Sequence, residues 1–411
     1  MVLEELFNSV NELNKNDLIQ LVFYIGLQKK RAKSQYMLNR CMKEITRRFM
    51  DSLTTEDLCI ICNSTFKTST KINNETFLNK VTSHLTDHLY LLNDPALCTT
   101  FIKTIRHNQC QITRFFFNKS IKHYSFTGLC HILALYSDFL YYDEHLIKVF
   151  TGKCVELLKN NSYVSRSAYL SQHPRIKDVQ RLLWSLYNLN YKHLNASDVK
   201  DVIIPTVMKS LEVGEFEDDY ATLVNIVLYL WILNYRAYEL ISRALTKEHL
   251  QTLKASFPYK QRLNLLLSCI YFEDKALYRQ LSSRPPEIAN HDTRVELRKR
   301  PELERVLDSL KSIGIHGNVN KFEVGFQVPY LKIGGIVGYR KNIYKTIHVE
   351  VLDDYTSLKN TDNVPTGLMQ LKLRILEKSD EGLVTIRANE INSMTNEELH
   401  SFLLDELDLV C

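Results

Sequence analysis

Asp17-Leu-Ile-Gln-Leu-Val-Phe-Tyr-Ile-Gly-Leu27 is the stretch that decides the fold, because its apolar residues recur at helical spacing. The polar run Asn14-Lys-Asn-Asp17 in front of it is a typical signal for the start of a helix. Three later segments repeat the apolar pattern: Asp57–Phe66, Leu97–Ile105 and Phe126–Tyr136. Together the four segments predict a series of amphipathic helices.

A leucine near the start of each segment indicates a repeat. These leucines stand at positions 18, 58, 97 and 129, in steps of 40, 39 and 32 residues. Such steps are typical of solenoids built from helix pairs, in which each pair buries its apolar face against its neighbours. The chain has only 12 Gly and 9 Pro, which also favours long helices. An irregular helical bundle is the alternative.

Two further segments of the chain have similar sequences. Leu183-Trp-Ser-Leu-Tyr-Asn-Leu-Asn-Tyr191 and Leu228-Tyr-Leu-Trp-Ile-Leu-Asn-Tyr235 both place a Trp shortly before Asn-Tyr, with the two Trp 47 residues apart. We expect each Trp to anchor a contact between helices. Val224–Leu233 is the most apolar segment and suits a buried helix, since crossing a membrane takes roughly 18 to 20 apolar residues.

Basic residues are clustered, although the net charge is only +5. Lys29–Arg48 contains eight basic residues and one acid, Glu44. Lys103–Lys122 contains five basic residues and no acid, around the aromatic run at 115–117. Two such clusters in a helical body favour contact with the phosphates of a nucleic acid. Solvated helix faces are the alternative for each of them.

The nine cysteines follow no disulfide framework, which is typical of a reducing compartment. Cys59 and Cys62 form a CxxC without a second pair of ligands, so we expect both in the core. His84 and His88 share a helical spacing but lack a third ligand, and no metal or cofactor is predicted. The acidic N-terminus has no presequence pattern. We therefore expect that the protein either has no cleavable targeting sequence or begins inside a longer precursor.

Near position 285 the helical pattern ends, and a small α/β part follows. The break is Ser282-Ser-Arg-Pro-Pro-Glu287, after which Arg294–Ile313 reads as one charged helix. Gly334, Gly335 and Gly338 do not fit a phosphate-binding motif, and we expect a mobile loop there. The expected strands and helices beyond 314 are Phe322–Ile333, Thr346–Leu352, Gly367–Lys378 (helix), Leu383–Ala388 and Asn396–Leu407 (helix).

The C-terminal part resembles a RAP domain. Its strand Thr346-Ile-His-Val-Glu-Val-Leu-Asp353 precedes the helix Thr366-Gly-Leu-Met-Gln-Leu-Lys-Leu-Arg-Ile-Leu376 and the strand Leu383-Val-Thr-Ile386. The Trp184 segment and Arg262-Leu-Asn-Leu-Leu-Leu-Ser-Cys269 are similar to the helical domains that precede RAP in the FAST kinase domain-containing family. This resemblance implies a mitochondrial matrix protein that binds RNA and acts on the processing or stability of organellar transcripts.

RAP domains resemble restriction-endonuclease folds, so metal-dependent cleavage of RNA is an alternative function. Cleavage would need carboxylates to hold Mg²⁺ beside the attacked phosphate. The candidates are Glu350, Asp353 and Lys372, while the strand before them offers no acid at the usual place. Glu350 and Lys372 also suit a structural ion pair. No kinase motif is present, and we favour binding without catalysis.

The sequence thus predicts a mainly α protein, a helical-repeat solenoid followed by a small α/β RAP-like domain. The expected domains are 1–150 (repeats), 151–235 and 236–313 (two helical domains of the family) and 314–411 (RAP-like). The expected partners are single-stranded or structured mitochondrial RNA and other RNA-processing proteins, with no membrane; a helical protein–protein scaffold is the other alternative. The candidate RNA-binding residues are Arg40, Lys43, Arg47, Arg48, Arg106, Arg114, Lys119, Lys122, Arg340, Lys341 and Lys345.

Overall fold

The structure is a computed structural model of the 411-residue chain. It describes residues 2–87, 94–109, 123–161, 174–217, 219–246, 257–282, 285–286, 292–313, 319–340, 346–379 and 382–408. The chain divides into two compact units, Met1–Phe139 and Leu140–Cys411. It is mainly helical with one small four-stranded mixed sheet, as predicted. None of the described helices is long and apolar enough to cross a membrane.

The first unit consists of helices in the described ranges, several with a polar cap where the sequence predicts a start. Asn14 accepts a hydrogen bond from the Asp17 amide, and Thr54 forms a reciprocal capping box with Asp57. The predicted amphipathic segments are confirmed as helices. The helices are α1 (Val2–Asn8), α2 (Lys15–Leu27), α3 (Ala32–Arg48), α4 (Thr55–Thr68), α5 (Glu75–Asp87), α6 (Pro95–Asn108) and α7 (Phe126–Asp138).

A regular step of 40 residues runs through this unit. Lys29, Ser69 and Gln109 follow the ends of α2, α4 and α6, and each has a positive φ of 56 to 57°. A left-handed residue after a helix lets the backbone bond back to the last carbonyls. Helices α2, α4, α6 and α7 also pack on one another in that order. The contact of α2 with α4 is close: a Cβ at Gly26 would lie 2.5 Å from the Ser64 hydroxyl.

The second unit begins with a group of helices. The most apolar segment is confirmed as a buried helix, α12, whose twelve residues are all buried. The helices are α8 (Glu144–Asn161), α9 (Ile176–Asn188), α10 (Ala196–Asp198), α11 (Ile204–Glu212, reached through a π-helical turn at Val199–Ile203), α12 (Ala221–Ile232), α13 (Tyr238–Ala244), α14 (Phe257–Glu273) and α15 (Lys275–Leu281). Helix α12 packs between α9 and α14.

The α/β part lies in the same unit. Its order is α16 (Thr293–Lys299), α17 (Pro301–Ile313), β1 (Val319–Gly325), β2 (Gly335–Arg340), β3 (Thr346–Leu352), α18 (Gly367–Glu377), β4 (Gly382–Arg387), α19 (Ala388–Ile391) and α20 (Asn396–Asp408). The sheet order is β1-β2-β3-β4, antiparallel except for the parallel pair β3–β4. Strand β3 is buried on both faces: Val349 packs in the core with α17 and α20, while Glu350 meets α18.

Three predictions about this part were wrong. The expected strand Phe322–Ile333 ends at Gly325, and the segment beyond it contains Pro329, which cannot donate to a sheet ladder. The expected loop around the glycines is strand β2 from Gly335. The expected helix Arg294–Ile313 is broken at Arg300, because a residue before proline avoids the helical conformation.

Candidate nucleic-acid interface

A row of basic side chains follows one side of α3. Its residues follow one another at steps of three and four, so they share a helix face: Lys33, Tyr36, Arg40, Lys43 and Arg47. At 1.5 Å per residue this row is about 21 Å long. Lys33, Lys43 and Arg47 are exposed, and Arg40 is half-buried. We call these four cations and Tyr36 the basic stripe.

Little negative charge opposes the basic stripe. Arg47 is 61% exposed and reaches Glu44 at 2.6 Å, while the Glu44 side chain is only 11% exposed. Among the described residues no carboxylate forms an ion pair with Lys43. Arg40, Lys43 and Arg47, with one mostly covered acid, leave this face of the helix positive. Such a face attracts a polyanion and loses that attraction as salt is added.

One exposed aromatic ring, Tyr36, lies within the basic stripe. The Tyr36 ring is 63% exposed and meets the buried Phe7 ring edge-on, with centroids 5.9 Å apart. The Arg40 guanidinium lies 5.0 Å from the centre of the same Phe7 ring. An exposed ring between cations offers an unpaired base a stacking partner beside its phosphate. The signal was present in the sequence as Tyr36, three residues after Lys33.

Two of the predicted RNA-binding arginines make contacts within the fold. Arg48 donates to the carbonyls of Asn11 and Leu13, at 2.8 and 2.9 Å. Arg106 contacts the Asp138 carboxylate at 2.5 Å and is only 18% exposed. Arg340 is half-buried at the end of β2, across from β1. The remaining predicted cations lie outside the described residues: Arg114, Lys119, Lys122, Lys341 and Lys345.

The predicted nuclease residues Glu350 and Lys372 lie inside the protein. The Lys372 ammonium is 2.5 Å from Glu350 Oε1, and both side chains are fully buried. Burial raises the pKa of Glu350 and lowers the pKa of Lys372, each opposed by the charge of the other. Gly335 makes room for this pair, because a Cβ there would lie 2.1 Å from Glu350 Oε1.

The third candidate acid, Asp353, is bound to Arg300. The Arg300 guanidinium is fully buried, donates to Asp353 at 2.6 Å and also reaches the carbonyls of Gly334 and Val351. Thr356 donates to the other oxygen of Asp353 at 2.9 Å. Among the described residues, no group of three His, Cys, Asp or Glu is arranged to hold a metal ion. Arg300, the centre of this network, is 53 residues from Asp353 in the sequence and was not among the predicted site residues.

A second buried charge cluster links the helices to α18. Trp231 is fully buried and donates its indole N–H to Glu273 at 2.6 Å, so it anchors the contact of α12 with α14 as predicted. Arg374 and Arg236 contact the same carboxylate at 2.9 and 3.1 Å. Burial alone would raise the pKa of Glu273, but Arg374 and Arg236 bring it below its ordinary value.

Comparison with known proteins gives a distant similarity. No protein-family model matches the chain. Over 241 residues the chain is 24% identical to FAST kinase domain-containing protein 5, mitochondrial, from Homo sapiens, and 23% identical to the protein of the same name from Macaca fascicularis. The match covers 57% of this chain and 29% of each relative, so it spans less than a third of their length. This weak similarity is to the same family that the C-terminal motifs resemble.

Proposed function

We propose that this protein binds single-stranded RNA through the basic stripe of α3. The observation that carries the proposal is the stripe itself, in which exposed Lys43 and Arg47 share one helix face with exposed Tyr36. Cations supply affinity for phosphates that does not depend on sequence. Exposed aromatic side chains add stacking on unpaired bases, which is how proteins usually recognise single-stranded RNA.

The cellular setting belongs to the same proposal. Both relatives are named as mitochondrial proteins with a FAST kinase domain. The resemblance to that family implies a protein that binds RNA in the mitochondrial matrix. We therefore propose that the RNA is an organellar transcript whose processing or stability the protein affects, with other RNA-processing proteins as partners. The 40-residue step and the packing of α2, α4 and α6 support a helical-repeat solenoid as the RNA-binding body. The α/β part would be its RAP-like domain.

Reversing two charges of the stripe tests the proposal. We expect Lys43→Glu with Arg47→Glu to weaken binding of a single-stranded RNA, because two phosphate contacts become repulsive. The slope of log affinity against log salt should fall by about 1.4, the value for two contacts to a single strand. Filter binding over a range of salt concentrations measures both effects. Arg48 is left intact because it holds the carbonyls of Asn11 and Leu13.

The matched control is the double variant Lys148→Glu, Lys332→Glu. Both lysines are exposed and lie in the second unit, so the net charge changes equally without touching the stripe. Equal losses of affinity in the two double variants would show a general charge effect and refute the stripe. Specific binding of a peptide by the wild-type protein, with no affinity for RNA, would favour the scaffold alternative. Shortened RNA products formed with Mg²⁺ would favour the nuclease.

A further inference from the structure

A cleft of about 360 Å³ lies in the second unit, where the ends of α9 and α12 meet the first turns of α18. Binding pockets for small ligands range from roughly 300 to 1,000 Å³, so the cleft has room for a group the size of one nucleotide. Six of its lining residues are Tyr191, Lys192, Asn234, Tyr235, Gln370 and Arg374. Arg374 belongs to the buried cluster around Glu273, but neither that cluster nor the basic stripe explains why the other five side chains converge.

Two walls of the cleft have the same local structure. Asn190 and Asn234, 44 positions apart, both have a positive φ, of 48° and 70°. The amide of the following tyrosine then bonds back into the helix, from Tyr191 to Leu186 and from Tyr235 to Leu230. Glycine adopts a left-handed backbone most easily. The Asn190 amide donates to the Pro365 carbonyl at 3.0 Å, whereas the Asn234 amide makes no hydrogen bond among the described residues and is left for the cleft.

Several polar groups in the cleft have no protein partner. Among the described residues, the side chains of Lys192, Asn234 and Gln370 make no hydrogen bond or ion pair, although all three line the cleft. A carboxamide can donate and accept at once, which matches the edge of a nucleobase. The Tyr235 hydroxyl donates to the Leu194 carbonyl, which fixes its ring at the cleft wall. A fixed ring is a stacking surface with little entropy to lose.

The charge of the cleft is positive. None of its lining residues in the described chain is acidic, and they include the cations Lys192 and Arg374. The carboxylate that Arg374 contacts, Glu273, is fully buried and also contacts Arg236 and Lys378. Of the two lining cations, Arg374 is paired with Glu273, while Lys192 makes no ion pair among the described residues and can meet a phosphate group.

We propose that this cleft holds one nucleotide of a bound RNA, an inference that rests on the proposed RNA binding and adds a subsite to it. The Lys192 ammonium contacts the phosphate, and the Asn234 and Gln370 amides contact the edge of the base. The Tyr235 ring packs against the base from the side. The cleft thus recognises a nucleoside monophosphate unit, whereas the basic stripe contacts the backbone.

Asn234→Gly is the sharpest test, because glycine keeps the left-handed backbone and removes only the amide. Asn363→Gly is its matched control, since Asn363 also has a positive φ, of 52°, and does not line the cleft. Full-length protein is titrated calorimetrically with each of four ribonucleoside monophosphates, with inorganic phosphate, and with a short single-stranded RNA. We expect Asn234→Gly to weaken nucleotide or RNA binding about tenfold and Asn363→Gly to leave it unchanged. Lys192→Glu should weaken both further.

The outcomes separate this inference from the proposed function. Suppose that RNA affinity falls with Lys43→Glu and Arg47→Glu but is unchanged by Asn234→Gly and Lys192→Glu. This result overturns nucleotide binding in the cleft and leaves RNA binding by the basic stripe. If the affinity for RNA falls only in the cleft variants, nucleotide binding in the cleft is supported and RNA binding by the basic stripe is overturned. Inorganic phosphate that binds as tightly as every nucleotide also overturns the proposal, because the cleft would then recognise an anion alone.

Discussion

The buried pair of Lys372 and Glu350 gives the strongest prediction for stability. Replacing Lys372 by Met keeps most of the side-chain volume but leaves Glu350 without a cation at 2.5 Å. Breaking a buried pair on one side typically costs about 3 to 5 kcal/mol, because a charge or a polar group stays buried without its partner. We expect Lys372→Met and Glu350→Gln each to cost about this much free energy of unfolding. The double variant should cost far less than the sum.

The two single variants should also respond to pH in opposite directions. In Lys372→Met the remaining Glu350 has a raised pKa in the folded protein, so stability is present below its ordinary value of 4.5 and is lost as pH rises. In Glu350→Gln the remaining Lys372 has a lowered pKa, so stability is lost as pH falls below 10.5. Each slope can reach about 1.4 kcal/mol per pH unit. The double variant should show neither slope.

Urea unfolding followed by tryptophan fluorescence measures these effects in the right part of the chain. The chain has two tryptophans, Trp184 and Trp231, and both belong to the unit that contains the pair. The exposed Lys332→Met is the control and should change the free energy of unfolding by less than 0.5 kcal/mol, roughly. Costs below about 1 kcal/mol for both single variants, or slopes of the same sign, would refute a coupled buried pair.

Three further substitutions give predictions about stability. Gly335→Ala should lower the melting temperature in calorimetry, because its Cβ would lie 2.1 Å from Glu350 Oε1. Gly152→Ala is the contrasting change in helix α8, where no neighbouring side chain lies within 4 Å of the added Cβ, and it should stabilise the protein by about 0.5 to 1 kcal/mol. Trp231→Phe removes the indole N–H that donates to Glu273 and should lower the free energy of unfolding by about 1.5 to 3 kcal/mol. Urea unfolding followed by circular dichroism measures this loss, and an unchanged midpoint would contradict the hydrogen bond.

Local patterns predicted the helices and most strands. Asn14 and Thr54 cap helices where their side chains reach amides three residues on, which is information contained in a short window. The β-branched segment Thr346–Leu352 is strand β3 with the predicted bounds. The domain boundaries at 150, 235 and 313 remain predictions. The structure divides the chain after Phe139, and all three of these positions lie within the second unit.

Long-range partners could not be read from those windows. Arg300 and Asp353 are 53 residues apart, and Arg374 and Glu273 are 101 apart, so no local spacing marks them as pairs. Glycine at 335 favours a loop when only its neighbours in sequence are considered, whereas the reason for glycine there is Glu350 on the next strand. The shared Asn-Tyr of the two Trp segments does match in the structure, since Asn190 and Asn234 both have a positive φ, 44 residues apart.

The same buried charges bear on the choice between binding RNA and cutting it. A metal-dependent nuclease needs carboxylate oxygens that face the phosphodiester. Glu350 is enclosed with Lys372, and Asp353 accepts hydrogen bonds from Arg300 and Thr356. Cleavage at these residues would therefore require the pair to open, against the stability that Lys372→Met measures. The cations that stay accessible, in the basic stripe and at Lys192 in the cleft, need no rearrangement to meet a phosphate, and for that reason binding is the function we propose.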